Sequence, residues 1–245
     1  MSVLTLRLAG PLQAWGASAR FARRTTESAP TKSGVIGMLA AARGMDRDDD
    51  DALARLAVLR FGVRIDQPGT RVRDFQTAHH ADTGKSMPLS ERYYLADAVF
   101  VAAVEGEDVL LDELDAALRS PVHPPYLGRR SCPPAHPVRL GLHRGAGLAE
   151  ALQAEPWQAG AWYRKQRRGE ETVSLTVLRE ARPDEPDADL LRDQPLSFAA
   201  EHRRHALRTV VTTTVEVPNP NGRAASRPRA VPPHDPFAAL EEESA

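Results

Sequence analysis

The chain has 245 residues, of which 42% are hydrophobic and 27% charged, so it is long enough for one large domain or two small ones with a real core. It has no apolar run of about eighteen residues, which argues against a membrane-spanning helix, and its N-terminus lacks the basic leader of a signal peptide. Its single cysteine, Cys132, excludes an internal disulfide and a cysteine-based zinc cluster. These features suit the cytoplasm.

The charges are segregated along the chain, although the net charge is only −1. Basic residues concentrate at 20–43, at 120–145 and at 164–168, whereas acidic residues concentrate at 46–51, at 105–115 and at 180–193. A near-neutral protein can therefore carry a basic face, which is what a nucleic-acid phosphate requires. The alternative is that these clusters are solvated runs of surface charge and bind no nucleic acid.

The N-terminal segment predicts a strand, a loop and a helix. In residues 3–8 Leu4, Leu6 and Leu8 alternate with polar or smaller residues, which indicates a half-buried strand. A loop with Gln13, Trp15 and Gly16 follows. Ser33 is placed to cap a helix that ends at Gly44, and the apolar positions of that helix follow helical spacing: Val35, Ile36, Leu39 and Ala42.

The middle of the chain predicts a helix at 51–60, a strand at 61–66 and a projecting hairpin or arm at 67–92. A buried strand at 93–104 and a helix at 108–120 follow. The inward residues predicted for that helix are Leu110, Leu111, Leu114 and Leu118.

The C-terminal part is predicted to be rich in β-structure. A Pro-rich segment with little regular structure, 121–137, precedes a short strand at 138–142. Segments 171–180 and 207–217 have the β-branched residues typical of strands, and an acidic loop at 180–193 separates them. We therefore expect residues 1–140 to form the main domain, 141–217 a β-rich part of the same unit, and 218–245 an extended or disordered tail.

This order of elements predicts an α+β fold of ferredoxin-like type, with an antiparallel sheet, helices on one face and an inserted thumb or arm. The RNA-recognition motif has the same plan, but its aromatic signature is absent from this sequence.

Two segments offer groups that suit RNA. The basic loop through Thr31, Lys32, Ser33 and Gly34 feeds a helix N-terminus, where free N–H groups suit a phosphate, and ordinary capping is the alternative. A nucleotide-binding P-loop is excluded, since the glycines that the motif needs before Lys32 are absent. The second segment, 126–132, combines a stacking ring, a close-approach glycine and forked donors: Tyr126, Gly128, Arg129, Arg130 and Ser131. A purely structural turn would use much the same residues.

The arm carries His79, His80 and Lys85, which are able to serve as acid and base in metal-independent RNA cleavage. Plain surface residues are the alternative. No His/Asp/Glu spacing predicts a metal site, and no G-x-S-x-G elbow predicts a serine hydrolase.

Four segments together resemble one family. LRLAGPLQAWG at 6–16, PTKSGVIGMLAAARGMDRDD at 30–49, ERYYLADAVF at 91–100 and PPYLGRRSCPP at 124–134 occur in the order typical of the CasD family. These are the type I-E members of the fifth CRISPR-associated (Cas) protein family, which belong to the RAMP superfamily and are subunits of the Cascade complex. The resemblance is good over 4–140 and looser beyond, through FAAEHRRHALRTV at 198–210.

The resemblance implies a non-catalytic subunit that binds the repeat-derived 5′ handle of the guide crRNA and caps the complex. The implied partners are a CasC-type backbone subunit and a CasA-type large subunit, with target DNA met indirectly, and no cofactor is implied. Relatives in type I-C systems cut repeat RNA with a Tyr, a Lys and a His, so an endoribonuclease using His79, His80 and Lys85 is the alternative. The implied handle contacts are the loop Gln13, Trp15 and Gly16, the segment from Pro30 to Gly34 with Thr31, Lys32 and Ser33, the turn Tyr126, Gly128, Arg129, Arg130 and Ser131, and the supporting cations Arg23, Arg24 and Arg92.

Overall fold

The computed structural model describes residues 1–16, 23–183 and 185–223. The strands are β1 (Ser2–Ala9), β2 (Leu12–Gln13), β3 (Arg23–Arg24), β4 (Arg60–Gln67), β5 (Thr70–Gln76), β6 (Ser90–Ala96), β7 (Val99–Gly106), β8 (Arg139–Arg144), β9 (Thr172–Glu180), β10 (Asp189–Ser197) and β11 (Arg204–Pro218). The helices are α1 (Lys32–Ala42), α2 (Asp50–Ala57), α3 (Asp108–Arg119), α4 (Leu148–Ala154) and α5 (Ala161–Gln166). No helix in these described ranges is long and apolar enough to cross a membrane.

A ferredoxin-like unit forms the centre of the fold. The strands β4, β7, β1 and β8 are neighbours in that order, each pair antiparallel, within a seven-stranded sheet. In chain order they alternate with α1 and α3 as β-α-β-β-α-β, which confirms the predicted plan. Both helices pack on the face of β1 that carries Leu4, Leu6 and Leu8.

The second face of this sheet is also covered, so β1 is buried on both faces and not half-buried as predicted. The cover is α4, whose Leu148 and Leu152 pack against Val3 of β1 and Val101 of β7. The sequence does not predict α4, because its seven residues give too short a window for helical periodicity.

A buried ion pair holds the segment after α4 onto the sheet. The side chains of Arg64 and Asp66, both on β4, are 0% exposed and lie 2.7 Å apart between Arg64 Nε and Asp66 Oδ1. Arg64 also donates to the carbonyl oxygens of Glu155 and Pro156, at 2.8 and 2.9 Å. One guanidinium therefore joins β4 to a loop about ninety residues later, a contact that no local pattern predicts.

The helix ends are set by neighbouring polar side chains. The N-cap of α1 is Thr31 and not Ser33: Thr31 Oγ1 accepts the N–H of Gly34 at 3.3 Å. Gly44 has φ +72°, which confirms the predicted left-handed stop. Asp49 caps α2, which ends three residues earlier than predicted, and α3 buries Leu111 and Leu114 as expected.

The predicted single strand at 93–104 is wrong: two strands of different sheets occupy it. Asp97, with φ +55°, breaks the chain between β6 and β7. β6 pairs with β5 in an antiparallel hairpin, which is the expected arm, and residues 77–89 form its exposed tip. β2 and β3 pair with β6 and complete a second sheet.

The C-terminal strands extend the central sheet in the order β4, β9, β11, β10. β9 and β11 fall where strands are predicted, but the predicted loop at 180–193 contains the start of β10. Its charges and Pro195 are tolerated because β10 is an edge strand. Asn219 falls in the predicted tail but is buried, and its side chain donates to the carbonyl oxygen of Arg167 at 2.8 Å. The remainder of the predicted tail, residues 224–245, lies outside the described ranges.

Candidate RNA-binding face

The turn from Tyr126 to Cys132 is closed by its own backbone. The N–H of Leu127 donates to the carbonyl oxygen of Cys132 at 2.7 Å, and the N–H of Cys132 donates to that of Arg129 at 2.9 Å. Leu127 is buried and its carbonyl oxygen accepts the N–H of Ala14 at 3.1 Å, which fixes the turn to the loop after β2. The turn is therefore held in place from inside, with its polar residues outside.

Gly128 is required by this attachment. Its φ is +81°, and a Cβ atom there would lie 1.8 Å from the carbonyl oxygen of Ala14. Any side chain would both strain the backbone and push the turn off the loop. The glycine predicted to allow a close backbone approach does so, toward the chain itself.

Arg129 joins the turn to β6 and to the segment that contains β3. Its guanidinium carbon lies 4.6 Å from the ring centroid of Tyr94, and its Nη2 donates to the carbonyl oxygen of Arg24 at 2.8 Å. Arg24 in turn is aligned with Arg92 of β6 in parallel register. Three predicted cations from distant parts of the sequence thus converge.

The face formed in this way is basic and exposed. The side chains of Arg23, Arg24, Arg130 and Ser131 are exposed, and those of Arg92, Tyr126 and Arg129 are half-buried. Nε of Arg92 and Nη1 of Arg129 are buried and have no hydrogen-bond partner within the described residues. Hydrogen-bond donors that lack an acceptor and lie among other positive charges favour an anionic ligand. We call this set of seven residues the basic face.

The loop residues predicted as contacts lie beneath the basic face. Gln13 is 0% exposed, donates to the carbonyl oxygen of Ala98 at 2.7 Å and accepts the indole N–H of Trp15 at 3.0 Å. Trp15 is also fully buried and packs on Gly34. The structure corrects the expectation of direct side-chain contact for Gln13 and Trp15, which position the loop, whereas Gly16 is exposed.

The N-terminus of α1 is already occupied, which corrects a second expectation. The N–H of Lys32 donates to Asp193 Oδ2 at 2.7 Å, and its ammonium lies 2.7 Å from Glu180. Burial lowers the pKa of Lys32, against the opposing effect of Glu180. Thr31 and Ser33 are buried as well. Carboxylates of the C-terminal strands thus take the place offered to a phosphate, because those strands pack here.

Hydrogen bonds within the arm tip hold His79, His80 and Lys85 close to one another. The N–H of His80 donates to the carbonyl oxygen of Lys85 at 2.9 Å, and His79 Nδ1 lies 3.2 Å from the carbonyl oxygen of Gly84. All three side chains are exposed. Within the described residues no three His, Cys, Asp or Glu side chains are grouped to hold a metal ion.

Sequence reasoning missed two residues that build the basic face. Tyr94 is the buried ring below Arg129, and Arg71 of β5 donates to the carbonyl oxygen of Thr26 at 3.2 Å. Strand alternation in TRVRDFQ, 70–76, places Arg71 and Arg73 on one face and is the signal that would have identified Arg71. No sequence signal pairs Tyr94 with Arg129.

The chain is similar in sequence to known proteins. The family model described as CRISPR-associated protein (Cas_Cas5) matches residues 3–211. A relative from Escherichia coli (strain K12), named CRISPR system Cascade subunit CasD, is 35% identical, with 78% of this chain and 91% of the relative covered.

Two solved structures are also similar. One, described as the crystal structure of a Cas protein, is 38% identical with a TM-score of 0.68 and covers 91% of this chain and 98% of its own. The other, a chain of a CRISPR RNA-guided surveillance complex, is 33% identical with a TM-score of 0.70. The match covers 92% of this chain and 95% of that chain. The matched family model, the relative and the shared fold together establish that this chain belongs to the Cas5 family of CRISPR-associated proteins.

Proposed function

We propose that this chain is a crRNA-binding subunit of a type I-E CRISPR Cascade complex, acting in the cytoplasm in antiviral defence. It binds the repeat-derived 5′ handle, caps the backbone and contacts a CasC-type backbone subunit and a CasA-type large subunit. Support comes from the relative named as a Cascade subunit and from the similar chain of an RNA-guided surveillance complex. The role is structural and not enzymatic.

The observation that carries the proposal is the convergence of cations on the basic face. Arg129 fixes the backbone of Arg24, and the turn leaves Arg130 and Ser131 exposed beside it. Phosphate oxygens are matched by forked guanidinium donors, and an unpaired base is matched by the half-buried ring of Tyr126. A 5′ handle is a single strand with a unique sequence, so it offers both kinds of group.

Replacing Arg130 by alanine is expected to weaken guide binding about tenfold or more, because one charge-assisted phosphate contact contributes about 1.5–3 kcal/mol. Arg129→Ala is expected to weaken it further, because the tether to Arg24 is lost as well. The measurement is guide RNA occupancy of the purified complex. Arg55→Ala, an exposed arginine on α2, is the control, and wild-type occupancy in both turn variants would contradict the assignment.

The alternative is a repeat-specific endoribonuclease that uses the arm tip. It is favoured only by the exposed grouping of His79, His80 and Lys85. The chain is co-expressed with its neighbouring genes and a repeat array, and the 5′ ends of the bound RNA are sequenced with single subunits omitted. Mature ends that need a separate processing subunit support the structural role. The same ends produced by this chain alone, in chelator, establish the nuclease.

A further inference from the structure

A third basic cluster, which is not part of the basic face defined above, lies on α5 and the turn after it. Lys165 and Arg168 are exposed, and Arg164 is half-buried. Within the described residues these three form no ion pair, whereas Arg167 is held by Glu170 at 2.6 Å. The exposed positive charge of this segment is therefore largely uncompensated.

A half-buried arginine below α5 adds to this charge. Nε of Arg7, on β1, and Nε of Arg164 are both buried without a hydrogen-bond partner in the described part of the chain. Burial lowers the pKa of Arg7, and the charge of Arg164 lowers it further, partly opposed by Asp66. Two like charges with unmet donors are stabilised when an anion binds beside them.

Trp162 presents an aromatic surface next to these cations. It is 50% exposed, whereas Trp15 and Trp157 are 0% and 2% exposed. Its indole N–H donates to Asp97 Oδ2 at 3.0 Å, and its ring contacts Tyr163 edge to face at 5.5 Å. The indole is thus fixed in orientation while half of it stays open, as in a platform for base stacking.

The cluster on α5 adjoins the basic face through one short segment. Asp97, the acceptor of Trp162, donates its own N–H to the carbonyl oxygen of Pro11 at 3.1 Å. Three residues later, Ala14 is bonded to Leu127 of the turn. Both surfaces therefore attach to residues 11–14.

We propose that α5 and the turn after it form a second binding surface for single-stranded nucleic acid, in which Trp162 stacks on a base and Arg164, Lys165 and Arg168 bind phosphates. A single strand is favoured because an unpaired base leaves a ring face free for the indole. The strand is RNA, since the neighbouring basic face holds RNA. That identity rests on the proposed function, whereas binding of a single strand does not.

The first test uses the full-length chain and a single-stranded RNA oligonucleotide without repeat sequence. Binding is expected to quench tryptophan fluorescence, because Trp162 is the exposed indole, and Trp162→Phe is expected to remove most of the quench. Lys165→Glu with Arg168→Glu is expected to weaken binding roughly tenfold and to reduce the slope of log affinity against log salt by about 1.4.

The matched control is Arg47→Glu with Arg55→Glu, an equal charge reversal at exposed positions elsewhere. It is expected to change affinity much less than the α5 variant. Equal weakening by the two double variants, or RNA binding without any quench of Trp162, would overturn the second surface. Binding by Arg129→Ala is measured in parallel, so that failure of the basic face and failure of α5 are told apart.

The second test identifies the strand in the assembled complex. A photo-cross-linking residue replaces Trp162, and the complex is loaded with labelled guide RNA and with labelled target DNA. Cross-linking to RNA supports the proposal. Cross-linking to DNA alone would overturn the assignment to RNA, and no cross-link to either would overturn the surface itself.

Discussion

Arg64→Met is expected to lower the free energy of unfolding by about 3–5 kcal/mol, because it leaves the carboxylate of Asp66 buried without its partner. Both side chains are 0% exposed, so water does not replace the lost contact. The carbonyl oxygens of Glu155 and Pro156 lose a donor in the same step. The measurement is equilibrium unfolding in urea at neutral pH.

The deficit of Arg64→Met is expected to shrink as the pH falls. Burial raises the pKa of Asp66, and Arg64 opposes that rise. A carboxyl group whose pKa is higher in the folded than in the unfolded state contributes stability at low pH, and this contribution is lost as the pH rises through the folded pKa. Without Arg64 the pKa of Asp66 rises further, so protonation at low pH relieves part of the cost. A deficit that does not change with pH would contradict this origin.

Arg60→Met is the control for Arg64→Met. Arg60 lies on the same strand and pairs with Glu105 at 2.8 Å, but its side chain is 33% exposed. Solvent reaches the guanidinium of Arg60 and screens the pair in part, although Glu105 is itself buried, so the expected loss is smaller than that of Arg64→Met, about 1 to 2 kcal/mol. Similar losses of unfolding free energy in the two variants would show that burial is not the reason why the Arg64–Asp66 pair stabilises the fold.

Gly128→Ala is expected to abolish guide retention while leaving the remainder of the chain folded. The left-handed φ of +81° costs a residue with a side chain about 1–2 kcal/mol, and the new Cβ atom cannot remain 1.8 Å from the carbonyl oxygen of Ala14. The turn must move, which breaks its bond to Ala14 and displaces Arg129 from Tyr94. The measurement is guide RNA in the purified complex together with the circular dichroism of the variant.

Gly145→Ala separates the cost of backbone strain from the cost of the steric collision. Gly145 has φ +67°, but nothing lies within 4 Å of the position of its Cβ atom. This variant carries the backbone strain without the collision, so we expect a small loss of stability and normal guide retention. Loss of the guide in Gly145→Ala would indicate that Gly128 acts through general destabilisation.

The sequence predicted those elements whose signal is local. The alternation of Leu4, Leu6 and Leu8, the spacing of Leu111 and Leu114 and the glycine at 44 each fall within a few residues, where periodicity and backbone sterics decide the outcome. It failed at 93–104, where one apolar run serves two sheets, and at β10, where an edge strand tolerates charge.

The same division applies to the candidate site. The turn 126–131 and the cations Arg23, Arg24 and Arg92 were predicted from residue type and from resemblance, and they lie on one face. The sequence did not indicate which of the polar residues would be buried. Gln13 and Lys32 have the polar groups of ligand contacts, yet they bond to the chain itself.

Sequence alone therefore determined the fold class, the family and the kinds of group available for RNA, because these follow from local patterns and from motif order. The tertiary structure decided which of those groups remain free. Asp193 reaches the N-terminus of α1 from 161 residues away, and Arg129 reaches Arg24 across 105. Such partners are chosen by how the sheets and loops pack, and packing depends on contacts that sequence spacing does not encode.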